Sequence, residues 1–361
     1  MTNIRRNFIR SATTALFLCG ALSAHADLGA AYTMTNAPDD NQIVAFSRDA
    51  QGFLTRSETV STGGRGSGGG LDPLASQGSL VLADEGKWLL AVNAGSNDVS
   101  VFRVKEDGIE LRDRIGSGGN FPVSVTVAEH AVYVLNNGAP ANITGFRLEH
   151  GGRLTPLPNS TRSLGTGSFG QIAFDAQGKS LVVADKANNR LLVYRMDEDG
   201  VPATPPVVSP SAGNVPFGVA FDKTGHLLVV EAGTNAVSSY DVLRDGGLQT
   251  ITASAANGQR ATCWITVNQR GDIITTNPGT HSLSTFHVAA DTGAVTLLNG
   301  SAGAGNTPLD IDVSKDGRFA YAVDPANGGV DMFKIEHDGS LTALGGVDGG
   351  LPLFAQGMAV R

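Results

Sequence analysis

Seven polar residues recur at matching positions, each directly after a short apolar segment, and three of them carry carboxylates. They are Thr35, Asn93, Asn136, Asp185, Glu231, Asn277 and Asp324. If the carboxylates converge, they can hold a divalent cation together with neighbouring amides, or one can act as a general acid or base with a raised pKa. Asn and Asp at such positions also cap turns by accepting backbone N–H groups, so both interpretations stay open.

Glu231 is the strongest candidate for a general base, because glutamate is a poor turn-capping residue. Asn277, Arg260 or a bound metal could stabilise a developing oxyanion, and His281 could supply an imidazole from the following loop. Arg260 can equally be an exposed loop arginine, and His281 a solvated loop histidine. The predicted catalytic set is therefore Glu231, Arg260, Asn277 and His281.

A ligand-binding set surrounds these candidates and combines polar with aromatic residues. Its members are Asn93, Asn136, Asp185, Asp324, Gln171, Phe217 and Trp264. The aromatic members belong to a group at the starts of successive strands, which also includes Phe121, Phe169 and Phe354. If these rings line a channel they favour a neutral, ring-shaped ligand; if they lie between repeats they are packing residues.

The elements that must position these residues are revealed by a repeat. An aromatic residue closes the same alternating apolar pattern seven times, at steps of 56, 44, 48, 46, 46 and 47 residues: Phe46, Phe102, Phe146, Tyr194, Tyr240, Phe286 and Phe333. A fixed period of this length indicates one supersecondary unit used repeatedly. The period-two alternation and the abundance of Val, Phe and Tyr indicate strands and disfavour a helical solenoid.

Each repeat reads as four short strands, which we name a to d. One repeat predicts strands over Pro216–Asp222, His226–Ala232, Ala236–Val242 and Leu248–Ser254. The first repeat lacks strand a, and a matching segment, Phe354–Val360, stands at the other end of the chain. We therefore predict an all-β, seven-bladed β-propeller, closed by a C-terminal strand a that joins N-terminal strands b, c and d.

The N-terminus predicts export. Residues 1–26 have a basic start, an apolar middle and an Ala24-His25-Ala26 ending, the layout of a cleaved signal peptide. The pair Arg5-Arg6 is compatible with a twin-arginine signal or with an ordinary one. Residues 27–361 then form the propeller domain, in the periplasm or secreted. No membrane span is expected, because the apolar run is shorter than the roughly 20 residues that a span needs.

Composition limits the partners. The formal net charge is −8 and there is no basic cluster, so nucleic acid is a poor partner and a small molecule is expected. A closed propeller needs no second copy, so a monomer is expected. Cleavage of the leader leaves Cys263 as the single cysteine, interpreted as a small packing residue. The stretch Ser61–Gly70 is of low complexity and predicts a flexible loop between the first two blades.

One segment points to a family. GLDPLASQGSLVLADEGKWLLAVNAGSNDVSVFRV, residues 70–104, resembles the second blade of the seven-bladed lactonase-like propellers. This family includes cycloisomerase-type 6-phosphogluconolactonases and 3-carboxymuconate lactonizing enzymes, and the blade pattern extends over the whole mature chain. The resemblance implies an acidic residue after the second strand of a middle blade, a position that Glu231 occupies.

The same resemblance shows departures. Where the family pattern has Pro-Arg-His the chain has Pro216-Phe217-Gly218, where Asn-Arg-Gly is expected it has Asn277-Pro278-Gly279, and Thr-Pro-Arg has become Thr307-Pro308-Leu309. An imidazole and two arginines that the resemblance implies are therefore missing, although Arg260 and Lys186 remain near the predicted mouth. Their loss disfavours a phosphorylated or carboxylated substrate.

Two functions of different classes remain open. In the first, the protein is an exported hydrolase or isomerase of a neutral lactone, and the retained Glu231 together with the long resemblance favours it. In the second, it is a non-catalytic binding propeller of the cell envelope, of the YVTN type, and the missing cationic groups favour this alternative. No cofactor follows from the sequence; a divalent cation is compatible with either function.

Overall fold

The protein is an all-β propeller of seven antiparallel sheets. The computed structural model describes residues 29–361, so the predicted signal peptide, residues 1–26, lies outside the described residues. Within residues 29–361 no helix has the length and the hydropathy needed to span a bilayer. The two helices found in residues 29–361 are single 3₁₀ turns, Asp84–Gly86 and Pro278–Thr280.

The first blade closes the ring. It consists of β1 (Ala30–Met34), β2 (Gln42–Arg48), β3 (Leu54–Ser61) and the last strand of the chain, β29 (Gln356–Val360). β29 pairs antiparallel with β1 on its inner side, with Tyr32 opposite Ala359, and the sheet order is β29-β1-β2-β3. The predicted closure by a C-terminal strand a is confirmed. It gives β1 a hydrogen-bonded neighbour on its inner side, so this blade has four strands.

The other six blades follow the chain in order, strand a innermost. Blade 2 contains β4 (Leu80–Ala83), β5 (Trp88–Asn93), β6 (Asp98–Lys105) and β7 (Gly108–Gly116). Blade 3 contains β8 (Pro122–Ala128), β9 (Ala131–Asn136), β10 (Ala141–Leu148), β11 (Leu154–Pro156) and a further short strand, β12 (Arg162–Gly165). Blade 4 contains β13 (Phe169–Phe174), β14 (Ser180–Asp185), β15 (Arg190–Arg195) and β16 (Val207–Pro210).

Blades 5 to 7 each contain four strands in chain order. Blade 5 contains β17 (Pro216–Phe221), β18 (Leu227–Glu231), β19 (Ala236–Val242) and β20 (Leu248–Ala256). Blade 6 contains β21 (Ile265–Val267), β22 (Ile273–Asn277), β23 (Ser282–Val288) and β24 (Val295–Ala304). Blade 7 contains β25 (Ile311–Val313), β26 (Phe319–Asp324), β27 (Gly329–Ile335) and β28 (Leu341–Asp348). The four strands predicted for blade 5 are confirmed to within two residues at each end.

The repeated aromatic residues hold neighbouring blades together. All seven lie on strand c and are at most 2% exposed. Phe46 of blade 1 packs with Phe319 and Tyr321 of blade 7, and Phe286 of blade 6 packs with Leu228 and Val230 of blade 5. Large rings at one position per blade therefore fill each seam, which explains why the repeat is strongest at this position.

The seven a strands contact one another in a closed ring around the axis, in the order β29, β4, β8, β13, β17, β21 and β25. Their inner edges are not paired in a sheet, so their amides need other acceptors. Side chains of one blade supply them to the next: Ser124 Oγ accepts the Ile172 N–H at 3.3 Å and Gln171 Oε1 accepts the Val219 N–H at 2.7 Å. The channel lining is thus polar by necessity.

The low-complexity stretch between blades 1 and 2 is tied to the surface over which it passes. The Gly66 N–H donates to the Ala37 carbonyl at 2.7 Å, and the Gly95 N–H donates to the Arg65 carbonyl at 2.9 Å. A Cβ at Gly66 would overlap the backbone of Asn36, so glycine is required there by close approach. The stretch connects blades 1 and 2, and its flexibility stays a prediction from composition.

Candidate functional site

The seven polar residues that follow strand b occupy equivalent positions, as the repeat predicts, but each is bonded within its own surroundings. All are buried, six of them with no exposed surface. Asn93, for example, donates to Asp98 and Ser100 and accepts from Thr62. Among residues 29–361 no hydrogen bond joins two of the seven side chains. Their common role in the structure is to fasten loops to the blade ends.

Glu231 illustrates this role most fully. Its Oε1 accepts the Gly213 N–H at 2.7 Å and the hydroxyls of Ser238 at 2.8 Å and Ser211 at 3.0 Å. Its Oε2 accepts the Ser254 hydroxyl at 2.7 Å. With the Tyr240 hydroxyl, 3.5 Å from Oε1, five neutral donors therefore surround a carboxylate that has no exposed surface. They connect the end of β18 to β19, to β20 and to the loop before β17.

The other predicted catalytic residues lie in blade 6. Asn277 is buried and accepts from Thr262 at 2.7 Å and from Asn257 at 2.9 Å. Arg260 and His281 are exposed, and the His281 Nδ1 is bonded to the carbonyl of Asn306. Within the described residues neither contacts Glu231, so the structure does not bring the four predicted catalytic residues together.

Two further carboxylates of the set have local partners. Asp185 pairs with Arg190 at 2.7 Å, and Asp324 accepts from the Asn327 side chain at 2.9 Å. Beside Asp324, burial and the Asp324 charge raise the pKa of Asp331 to about 7. No group of three or more His, Cys, Asp or Glu side chains in residues 29–361 is arranged to hold a metal ion. The possible divalent cation therefore has no cluster of that kind in this part of the chain.

A different set of residues meets at the channel mouth, around the segment Leu71–Gly78, which we call the strap. Ser76 Oγ donates to the Val123 carbonyl of blade 3 at 2.8 Å, and the Gln77 N–H donates to the Gly170 carbonyl of blade 4 at 3.0 Å. The Leu74 N–H donates to Gln356 Oε1 of blade 1 at 3.0 Å. Because these blades lie on different sides of the ring, the strap crosses the axis.

Blade 6 holds the other side of the strap. Gln77 donates through Nε2 to the Ile265 carbonyl at 2.6 Å and accepts the Ile265 N–H through Oε1 at 3.0 Å. The Trp264 indole N–H donates to the Ser76 carbonyl at 3.1 Å. Lys186 Nζ of blade 4 donates to the Ala75 carbonyl.

Ala75 and Asp72 are held in the left-handed region, with φ of 47° and 50°. Backbone strain of this kind persists only where the surroundings enforce it, often at functional positions.

Asp72 is the titratable centre of the strap. Burial raises its pKa to about 7, although the Lys186 charge and a hydrogen bond from Gln356 both lower it. Directly before β25, burial raises the pKa of Asp310 to about 8, helped by the Asp72 charge, and its Oδ2 has no hydrogen-bond partner. A carboxyl that titrates near neutrality can exchange protons in either direction, which is the property that general acid-base catalysis requires.

Lys186 faces Asp72 from the loop after β14. Its Nζ lies 4.9 Å from the centre of the Phe217 ring, and Phe217 packs edge-on against Trp264 with ring centres 5.2 Å apart. Burial lowers the pKa of Lys186, while Asp72 raises it. Burial also raises the pKa of the neighbouring Cys263 thiol to about 12, so this thiol stays protonated and is a poor nucleophile.

Three members of the predicted ligand-binding set therefore lie at this mouth: Gln171, Phe217 and Trp264. The predictions missed Asp72, Gln77, Gln356 and Asp310. One signal was available, since the first repeat step is 56 residues where the others are 44 to 48, and the extra residues include the strap.

Three clefts of about 380, 710 and 660 Å³ lie elsewhere, at the blade ends and seams near Lys179, Arg48 and Glu58, and none contains a predicted site residue.

Comparisons with known proteins agree with this architecture. The family described as "Lactonase, 7-bladed beta-propeller" matches residues 22–167, 140–266 and 235–348. No curated protein matches the chain significantly. A Bacteroides fragilis structure, provisionally designated a 6-phosphogluconolactonase, is 17% identical with a TM-score of 0.74 and covers 93% of this chain and 98% of its own. The periplasmic gluconolactonase of Pseudomonas aeruginosa is 15% identical with a TM-score of 0.73 and covers 91% and 98%. At such identities the structural likeness establishes the fold.

Proposed function

Because the chain belongs to the lactonase family of seven-bladed β-propellers, we propose that it is an exported hydrolase that opens the ring of an uncharged lactone at the channel mouth. Family membership supports a small-molecule substrate. The leader predicted in residues 1–26 supports export to the periplasm or the medium. Asp72 carries the proposal: it is the strap carboxyl with a pKa of about 7, beside the ammonium group of Lys186.

The reaction that fits this pair is base-assisted hydrolysis. Ionised Asp72 accepts a proton from a water molecule, whose oxygen attacks the lactone carbonyl carbon. The Lys186 ammonium group favours the negative charge that develops on the carbonyl oxygen. When the ring C–O bond breaks, the carboxylic acid of Asp72 returns its proton to the departing alkoxide. The product is an open hydroxy acid, and Asp72 ends in its starting state.

The charge of the mouth favours an uncharged ring. Asp72 acts as the base in its ionised form, and Lys186 is the cation that interacts with it. A phosphate group would meet this carboxylate without the arginines that the family pattern implies. Gluconolactone, the substrate named for the Pseudomonas aeruginosa protein, is uncharged and therefore the first compound to test. The faces of Phe217 and Trp264 suit a compact ring.

The test is acid release from gluconolactone and from 6-phosphogluconolactone, each corrected for spontaneous hydrolysis. We expect the mature protein to accelerate hydrolysis of the uncharged lactone more than that of the phosphorylated one. Asp72→Asn should lower kcat at least about 100-fold, the usual effect of losing a general base. Asp39→Asn, at an exposed position, is the matched control and should leave kcat unchanged.

Two further samples separate this proposal from the predictions made from sequence. Glu231→Gln tests Glu231 as the general base, and a chelated sample tests a required metal. If Asp72→Asn keeps full activity and Glu231→Gln is inactive, Glu231 and not Asp72 is the general base. A folded protein that accelerates no lactone would support the non-catalytic alternative. The strap favours that alternative, because its residues Ser76 and Gln77 are bonded to blade 6 and lie in the mouth. Quenching of tryptophan fluorescence by added lactone would then detect binding alone.

A further inference from the structure

Gln356 is the polar exception at its position in the repeat. Seven residues stand at equivalent places near the start of strand a, at steps of 45, 47, 47, 46, 46 and 47 residues: Gly78, Val123, Gly170, Phe217, Cys263, Leu309 and Gln356. Six of them are glycine, cysteine or apolar residues, whereas Gln356 carries an amide. A residue that breaks a repeat pattern answers a requirement other than blade packing, and such positions are often functional.

The Gln356 amide joins two residues of the strap. Its Nε2 donates to Oδ1 of Asp72, and its Oε1 accepts the Leu74 N–H at 3.0 Å. The backbone of Gln356 is fixed as well, because its carbonyl accepts the Thr33 hydroxyl at 3.3 Å and Met34 of β1 lies opposite it in the sheet. The side chain has no exposed surface. A rigid strand therefore holds the amide, and the amide holds the carboxyl group of Asp72.

The charged and titratable groups that act on Asp72 come from three other blades. They are Lys186 of blade 4, Cys263 of blade 6 and Asp310 of blade 7. Gln356 of blade 1 adds a donor that is neutral at every pH. Its hydrogen bond is directional and favours the ionised carboxylate over the carboxylic acid. Gln356 can therefore fix both the orientation and the ionised form of Asp72.

We infer that Gln356 is a positioning residue of the channel mouth, which orients the Asp72 carboxylate for proton transfer and links the reaction site to the strand that closes the ring. This inference rests on the proposed lactone hydrolysis, in which Asp72 is the base. The amide donates to Asp72 and accepts from Leu74 at the same time, which an ionised carboxylate cannot do. Because Gln356 begins β29, the site is complete only after β29 has paired with β1.

The variant that tests this role is Gln356→Glu. It keeps the shape and the acceptor for Leu74, but it replaces the donor to Asp72 by a second carboxyl group. Like charges disfavour ionisation, so the pH of half-maximal kcat/KM should rise by at least about one unit. With a shift of one unit, the wild type should exceed the variant about tenfold at pH 6 and about twofold at pH 8, since the ionised fraction of Asp72 sets the rate. A merely structural role would lower the rate by the same factor at both pH values.

The matched control is Gln249→Glu, which makes the same replacement at an exposed position of β20. It should keep the wild-type pH profile. Urea unfolding of both variants shows that the compared samples are folded. An unshifted half-maximum in folded Gln356→Glu would overturn the inference.

A second measurement needs neither a variant nor turnover. In ¹⁵N NMR spectra of the wild-type protein, the side-chain NH₂ signals of Gln356 should move with a midpoint near pH 7, where Asp72 titrates, while those of Gln249 stay in place. Gln356 signals that do not move would overturn the inference even where Gln356→Glu fails to fold. If the wild type hydrolyses no lactone, the proposed function fails, and this titration alone decides whether Gln356 holds the Asp72 carboxyl group.

Discussion

Gln77 and Ile265 are 188 positions apart and share two hydrogen bonds across the channel mouth, at 2.6 and 3.0 Å. The side-chain amide of Gln77 thereby replaces the neighbouring strand that the inner edge of β21 lacks. This pair fixes the strap to blade 6, and with it the position of Asp72 above the channel. The chemistry proposed for the mouth depends on this attachment.

Gln77→Ala should therefore destabilise the protein. It removes both partners of the Ile265 backbone, which is 1% exposed, and buried backbone groups without partners cost about 1–3 kcal/mol. The free energy of unfolding, measured with urea, should fall by that amount. Gln51→Ala, at an exposed turn, is the control and should change it by less than about 0.5 kcal/mol. Equal stability of the two variants would show that the strap is not held by this pair.

The rate of lactone hydrolysis should depend on pH through Asp72. As the general base, Asp72 must be ionised, so kcat/KM should rise with pH and reach half of its plateau near pH 7, where its pKa lies. At alkaline pH the rate should fall again as Lys186 loses its proton, below the usual lysine range because burial lowers its pKa. The measurement is kcat/KM from pH 5 to 10, corrected for hydrolysis by hydroxide. A profile flat between pH 5 and 8 would exclude Asp72 as the base.

Asp310 should make the fold less stable as pH rises. Its pKa is about 8 in the folded protein and about 4 when unfolded, so between these values the unfolded chain releases a proton that the folded chain retains. The free energy of unfolding should fall across this interval, to which the raised pKa of Asp72 also contributes. Asp310→Asn should reduce the fall by roughly 3 kcal/mol.

Denaturant unfolding at pH 5 and pH 8.5 measures this effect. The control is Asp291→Asn, at an exposed position, which should lose as much stability as the wild type. If Asp310→Asn shows the same pH dependence as the control, Asp310 does not hold a proton in the folded state.

Glu231→Gln should act on stability. The amide would present an NH₂ group to some of the five donors that now face the carboxylate, and an unpaired buried group costs about 1–3 kcal/mol. We expect that loss in the unfolding free energy, with kcat within about threefold of the wild type. Glu198→Gln, which is exposed, serves as the control. Unchanged stability with lost turnover would restore Glu231 as the general base.

The mature protein should begin at Asp27, because the predicted cleavage follows Ala26. Mass spectrometry of the periplasmic or secreted fraction measures this end directly. Replacing Arg5 and Arg6 by lysines distinguishes the export routes, since a twin-arginine signal should lose export and an ordinary signal should keep it. Full-length protein found only in the cytoplasm would contradict export.

The repeat predicted the fold almost completely because each blade uses the same local pattern. Alternating apolar residues specify strands, large rings at one position fill the seams, and the end strands can pair with nothing except each other. The pairing of β29 with β1 is thus a consequence that the sequence predicts, and the structure adds its register, with Tyr32 opposite Ala359. The same register located the seven residues that follow strand b.

The site could not be predicted in the same way, because it departs from the repeat. Glu231 and Asn277 recur in register, and the structure shows them bonded to their own loops. Asp72 has no counterpart in the register, since it lies in the extra residues of the first step, where periodicity gives no information. The aromatic residues at the starts of the a strands predicted the site better than the polar residues after strand b, because Phe217 and Trp264 both lie at the mouth.

By itself, then, the sequence determined the number of blades, the strand that closes them and the family to which they belong, because these follow from short-range patterns repeated along the chain. Only the tertiary structure decided where the titratable groups meet. Asp72, Lys186 and Gln356 are far apart in sequence, and both the contacts of these three residues and the pKa values of Asp72 and Lys186 depend on burial at one point of the ring. Burial and charge proximity are properties of the assembled channel, and no single blade contains them.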